Sequence, residues 1–154
     1  MRHALRESSR SSGMRKHVTE YDAYNELCCY TLTHTDRAFI HQHVVDAYAA
    51  QSAQATDKPI KLTIALVGLY LHLEHQFTGR QVQLAHMKMA RKKHDWPAFE
   101  LPELRGDITA INVLAFPPGP QRDGAIDDWC LSVWTAYAHH RSTLHELLDS
   151  FEVI

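Results

Sequence analysis

No run of apolar residues in this chain is long enough to cross a membrane. The longest, from Leu62 to Leu73, carries Thr63 and His72 inside it and falls well short of the roughly twenty residues a bilayer needs, so it predicts a buried helix. The first residues, RHALRESSRSSGMRKH, lack the continuous apolar stretch of a secretory peptide. Cysteine is scarce as well, with Cys28 and Cys29 adjacent and Cys130 far downstream. A bridge between neighbours needs a strained ring, and no CxxC occurs, so a disulfide framework, a zinc knuckle and a thioredoxin-like site are all excluded. The three thiols read as small hydrophobes of a reducing cytoplasm, which sets cytoplasmic localisation as the expectation.

Glycine is equally thin: six are scattered along 154 residues, and none forms the Gly-rich loop that cradles phosphates. There is no GxSxG elbow, and no cysteine has a histidine partner in sequence, so nucleophilic catalysis has no visible constellation. Alternating strand patterns, heptad seams and internal repeats are absent too. Charge of one sign is lacking except at the head. There, Arg2, Arg6, Arg10, Arg15 and Lys16 face Glu7 alone, a local +4, which leaves −6 on the remainder of a chain whose net charge is −2. An acidic body is not the footprint of a nucleic-acid binder. Residues 1–18 predict a disordered basic tail, because so little apolar surface cannot offset the entropy of ordering. Met14 stands as a second candidate start.

Helical periodicity occupies the rest, 19–154, as a single domain. EYDAYNELCCYTLTH puts Tyr24, Leu27, Cys28 and Thr31 on one face. A second helix is predicted from an N-cap at Thr35 or Asp36 to about Gln54, and a third from Pro59 to about Phe77. The third is apolar nearly all round, so it should be central, with Gly68 admitting a close neighbour. Thr78 and Gln81 form a capping box that opens a fourth helix reaching about Lys93. A short helix follows from about Thr109 to Ala115, and PPGP at 117–120 is a rigid turn. The last helix, from about Asp123 to Phe151, carries Ile126, Trp129, Cys130, Val133, Trp134, Tyr137, Leu144, Leu147, Leu148 and Phe151 at three- and four-residue steps. The fold class is all-α: a compact bundle of about five to six helices with a long C-terminal helix.

What the chain has in excess is histidine, twelve in all, concentrated in FIHQHVVDAYAAQ, YLHLEHQFTGRQVQLAHM and WTAYAHHRSTLH. At 100° per residue, His41 and Gln51 fall inside the apolar arc of the second helix, and His43 and Asp46 on its flank. His86 lies mid-stripe in the fourth helix, and His140 shares the last stripe with Tyr137 and Leu144. Imidazoles from separate helices with one open position are how a bundle holds a catalytic divalent metal, so His41, His86, His43 and His140 are the candidate ligands for zinc, nickel, manganese or iron. Asp46 or Glu74 would orient a ligand or act as general base. The bland alternative makes each histidine a core residue bonded to a carbonyl or carboxylate, with Tyr48 and Gln51 as buried partners.

Four blocks in order, YNELCCYTLTHTDRAFIHQHVVDAYAAQ, KPIKLTIALVGLYLHLE, TGRQVQLAHMKMA and DDWCLSVWTAYAHH, resemble a bacterial family of small helical proteins, domain of unknown function 5946. The resemblance spans about residues 20 to 145 and implies a helical fold without naming an activity. It carries over Asp46, Tyr48, Gln51, Glu74, Arg80, His86, Trp129 and Trp134. Some relatives have histidine where Ser52 stands, and a CxxC-like segment that this chain lacks.

Two readings follow. The first is a non-catalytic module with a polar, His-lined pocket, lined by Asp46, Tyr48, Gln51, Glu74, Arg80 and Trp134, that binds a small molecule or a protein partner. The second is a divalent-metal-dependent enzyme, transferase or hydrolase-like, with His41 and His86 facing one cavity. Neither implies nucleic acid or membrane, and a homodimer is compatible with both.

Overall fold

The computed structural model describes residues 17–154, so nearly all of the expected tail over 1–18 lies outside the described residues. The described chain is helical throughout its regular structure: α1 Glu20–Leu32, α2 His41–Gln51, α3 Pro59–His75, α4 Gly79–Ala90, α5 Ala110–Leu114, α6 Pro120–Tyr137 and α7 Arg141–Ser150. A 3₁₀ turn, Ala138–His140, joins α6 to α7, making one 31-residue C-terminal helical run. None of the three turn residues is fully buried, although Ala138 packs against the edge of the core.

Local chemistry sets most boundaries. Thr19 and Asp22 cap α1 reciprocally, and Thr78 and Gln81 do the same for α4, closing amides that have no helical partner. Pro59 and Pro120 occupy first turns, where a missing N–H costs nothing. Helix α2 starts later than the sequence predicts. Asp36 does accept from the amides of Phe39 and Ile40, but Phe39 then turns left-handed at φ 57°, and regular winding waits until His41. The same detour brings the Phe39 carbonyl against Gly79, where a Cβ would lie only 1.9 Å from its oxygen. Helix α2 also ends early, at Gln51, because its last carbonyls are claimed from outside. Tyr137 donates to the Ala50 carbonyl at 2.6 Å, and Arg105 donates to those of Gln51 and Ala53.

Helix α3 is central, packing against α2, α4, α6 and α7, and nine of its residues are buried. All the stripe residues expected of the C-terminal run face this core, from Ile126 to Phe151. Of the cysteines, Cys130 is buried as expected, Cys28 is half-buried, and Cys29 is exposed.

Trp134 is 3% exposed and packs its ring 5.6 Å from that of Tyr70. Trp134→Ala should therefore cost about 3–5 kcal/mol in denaturant unfolding, since the cavity it leaves cannot collapse between rigid helices. A loss below about 1 kcal/mol would contradict this packing.

Candidate functional site

The seam between α2 and α3 is tighter than ordinary side chains allow. Asp46, one turn after Gln42, points from α2 at Gly68 of α3, and a Cβ on Gly68 would sit 1.9 Å from Asp46 Oδ2. Glycine is required here to admit a carboxyl group, not to bend the helix. Asp46 is 2% exposed; its Oδ1 accepts from Gln42 Nε2 at 3.0 Å, while Oδ2 has no hydrogen-bond partner. Burial without a counter-charge pushes this carboxyl well above the usual carboxylate range, although the Gln42 bond works the other way.

Asp46 also lines a groove of about 550 Å³ between α1, α2 and α3. Tyr24, Val45, Tyr48, Ala49, Ile60 and Ile64 supply its apolar walls, and Gln42, Ser52 and Lys61 its polar ones. Tyr24 and Tyr48 stack on each other with centroids 4.1 Å apart and planes 9° from parallel. The volume of the groove is within the range of small-molecule sites.

The remaining candidates are engaged elsewhere. Gln51 is fully used: it donates to the carbonyls of Arg105 and Ile108 and accepts from the Trp129 indole at 2.9 Å. Glu74 is held by Arg141 at 2.6 Å on the α7 side. Arg80 lies over the Phe39 ring and bonds Gln83. Trp134 belongs to the core. Only Asp46 and Tyr48 of the predicted lining meet in this groove, and Gln42, Tyr24, Ile60, Lys61 and Ile64 join them unforeseen. Gln42 was accessible from its four-residue offset to Asp46; the α1 and α3 contributors carry no such sign.

The histidines separate. His41 Nδ1 is 2.9 Å from Thr31 Oγ1, and His140 Nε2 is 3.2 Å from the Glu100 carbonyl. His86 bonds the Ile64 backbone and leaves Nε2 buried and unpartnered. His43 stacks on His72 at 3.5 Å, and His72 faces the Phe77 carbonyl with Nδ1 and Asp127 with Nε2, both at 3.0 Å. Among the described residues, no three of His, Cys, Asp and Glu gather in a geometry that could hold a metal ion, so His41, His43, His86 and His140 do not form the expected ligand set. Burial drives the titration of His43 down to about 3, helped by the neighbouring His72, and that of His86 down to about 4.

A model described as a family of unknown function (DUF5946) matches residues 20–138, and the chain belongs to that family. No curated protein and no solved structure matches it.

Two predictions come from this geometry. Gly68→Ala should destabilise the fold by about 1–3 kcal/mol, because the new methyl displaces a buried carboxyl. Adding Asp46→Ala should recover much of that loss, and a purely additive double mutant would sever the proposed contact. The second concerns pH. His43 and His86 stay neutral in the fold while the unfolded chain protonates near 6.5, so their contribution is lost as pH falls from there toward 4. The raised Asp46 works in the opposite sense, since the fold keeps a proton that the unfolded chain releases. The two histidines together cost up to roughly 2.7 kcal/mol per pH unit on acidification, and Asp46 offsets part of that loss. Denaturant midpoints between about pH 6.5 and 4.5 should show it, with His86→Gln flattening the slope and Asp46→Asn steepening it. A slope indifferent to both variants would refute the assignment.

Proposed function

We propose that this DUF5946 member is a non-catalytic small-ligand-binding module whose site is the groove between α1, α2 and α3. One observation carries this reading: a mostly apolar groove of about 550 Å³ opens between three helices, with a few polar side chains, Gln42, Ser52 and Lys61, on its walls. Small-molecule sites are concave and mostly apolar, with a few polar groups that fix orientation, and the groove has that composition and a ligand-sized volume. The groove is mostly apolar, and its polar side chains are a carboxyl, two amide or hydroxyl groups and the Lys61 ammonium, with none of the imidazoles expected from the sequence. The metal-dependent enzyme needs converging ligands, and the described histidines face different partners.

A fragment screen read by amide chemical shifts tests the proposal. Hits should perturb Asp46, Gly68 and Ile64 together, and Ala49→Trp, which fills a half-buried position on the wall, should weaken them at least tenfold while leaving the melting temperature near that of the parent. Hits that cluster elsewhere, or that survive the tryptophan, would end this reading.

A further inference from the structure

We infer that copies of this chain pair with one another, the exposed stripe of α4 on one copy receiving the loop from Glu100 to Asp107 of the other.

Positive charge is unevenly placed on the body of the chain. Of the eleven lysines and arginines after residue 18, five (Arg80, Lys88, Arg91, Lys92 and Lys93) fall between residues 80 and 93, and no acid lies among them. At 100° per residue, Arg80, Leu84, Met87, Lys88 and the cap residue Arg91 share an arc of about 100° on α4, and all five are exposed. Val82, Ala85 and Met89 turn the opposite way, into the core. Helix α4 is thus packed without Leu84 and Met87, which stand 58% and 48% exposed. The helix dipole accounts for Lys88 and Arg91 near the C-terminal end, but it disfavours Arg80 in the first turn. Arg80 is held there by the Phe39 ring, whose centroid is 4.5 Å from its guanidinium carbon, and by Gln83. Lys88 meets Glu152 through the backbone carbonyl at 2.9 Å, and no carboxylate of the described residues pairs with any of the five cations.

The complementary surface is on the same chain. Between α4 and α5, Glu100, Glu103 and Asp107 are exposed around Leu104, which at 82% is the most exposed large apolar side chain of the described residues. The loop is pinned in that attitude. Arg105 donates to the carbonyls of Pro102, Gln51 and Ala53, and Ser132 Oγ accepts from the amides of Asp107 and Ile108. Gly106, at φ 99°, lies so close to Ser132 that a Cβ there would be 2.5 Å from its Oγ. The one cation of the loop is therefore occupied by carbonyls, and three acids set the charge it presents.

A basic stripe with two apolar side chains at its centre and an acidic loop with one at its tip match in sign and in composition. Each copy carries both, so two copies about a two-fold axis make the contact twice. A lipid surface fits less well, because the main apolar face of α4 is turned into the core and only Leu84 and Met87 remain to insert. A contact of one helix face and one loop is at the small end of protein interfaces, which makes the pairing weak and salt-sensitive.

Sedimentation velocity of the full chain over a concentration series tests this. A reversible dimer should form, and raising salt from about 50 to about 500 mM should weaken it about tenfold or more. Leu104→Ser should weaken it as much without lowering the melting temperature of the dilute protein, since that side chain is outside the core. Lys88→Glu with Arg91→Glu should abolish pairing, and so should Glu100→Lys with Glu103→Lys. Mixing these two variants should restore it, because the acidic α4 of one then meets the basic loop of the other. A chain that stays monomeric at its highest soluble concentration overturns the inference. So does a dimer indifferent to the charge reversals, or reversed variants that fail to pair when mixed. Binding of a monomeric chain to phosphatidylglycerol vesicles, lost on Lys88→Glu with Arg91→Glu, overturns it too and assigns the stripe to a membrane surface.

Discussion

The close approach of α2 to α3 at Asp46 and Gly68 is the constraint on which the rest of this structure depends. Two helices meet where one offers a carboxyl and the other only a hydrogen, so the carboxyl is driven into the seam and its solvent is removed. That single juxtaposition explains the raised Asp46 titration and the orphaned oxygen. The groove beside it opens where α1 meets the outer faces of α2 and α3. It is an unusual use of stability. A buried acid without a counter-charge costs free energy, and the surrounding core must offset it.

The offset comes from the far end of α2. Gln51, Trp129, Arg105 and Tyr137 form a polar lock in which the last carbonyls of α2 are taken by donors from α6 and from the segment before α5. Gln51 simultaneously holds the carbonyls of Arg105 and Ile108. Every member of this lock is satisfied, which is the condition under which a buried network rigidifies a fold instead of weakening it. With α2 clamped at its C-terminal end and wedged by Asp46 in its middle, the seam has little freedom to relax. The orphaned oxygen is retained because the helix cannot move away from it.

The histidines illustrate how a conspicuous composition disperses in space. His41 meets a threonine of α1, His86 the backbone of α3, His140 a loop carbonyl, and His43 another imidazole. Each is a separate local solution to burying a ring with one donor and one acceptor nitrogen. The His43–His72 stack beside Asp127 lies near the Asp46 seam but belongs to the α2–α3–α6 junction, not to the groove walls. Imidazole is versatile enough that helical phase alone does not say which of these partners it finds.

Much of the fold was legible in the residues. The Thr78–Gln81 box, the proline starts at 59 and the apolar stripe from Ile126 to Phe151 depend on contacts within a few residues or on one helix face, and all three appear as read. Gly68 was legible as a close approach, though not what approaches it. Where α2 begins and ends was not, because a left-handed Phe39 and donors from residues 105 and 137 set those points across long sequence separations. The site divides the same way. Asp46, Tyr48 and the role of Gly68 could be marked from one helix at a time. The separation of Glu74, Arg80 and the histidines from Asp46, and the arrival of Tyr24 and Ile60 beside it, were decided only when α1 and α3 packed onto α2. Helical phase fixes the direction of a side chain relative to its own axis; what it meets depends on the crossing of two axes, and that is a property of the packed core.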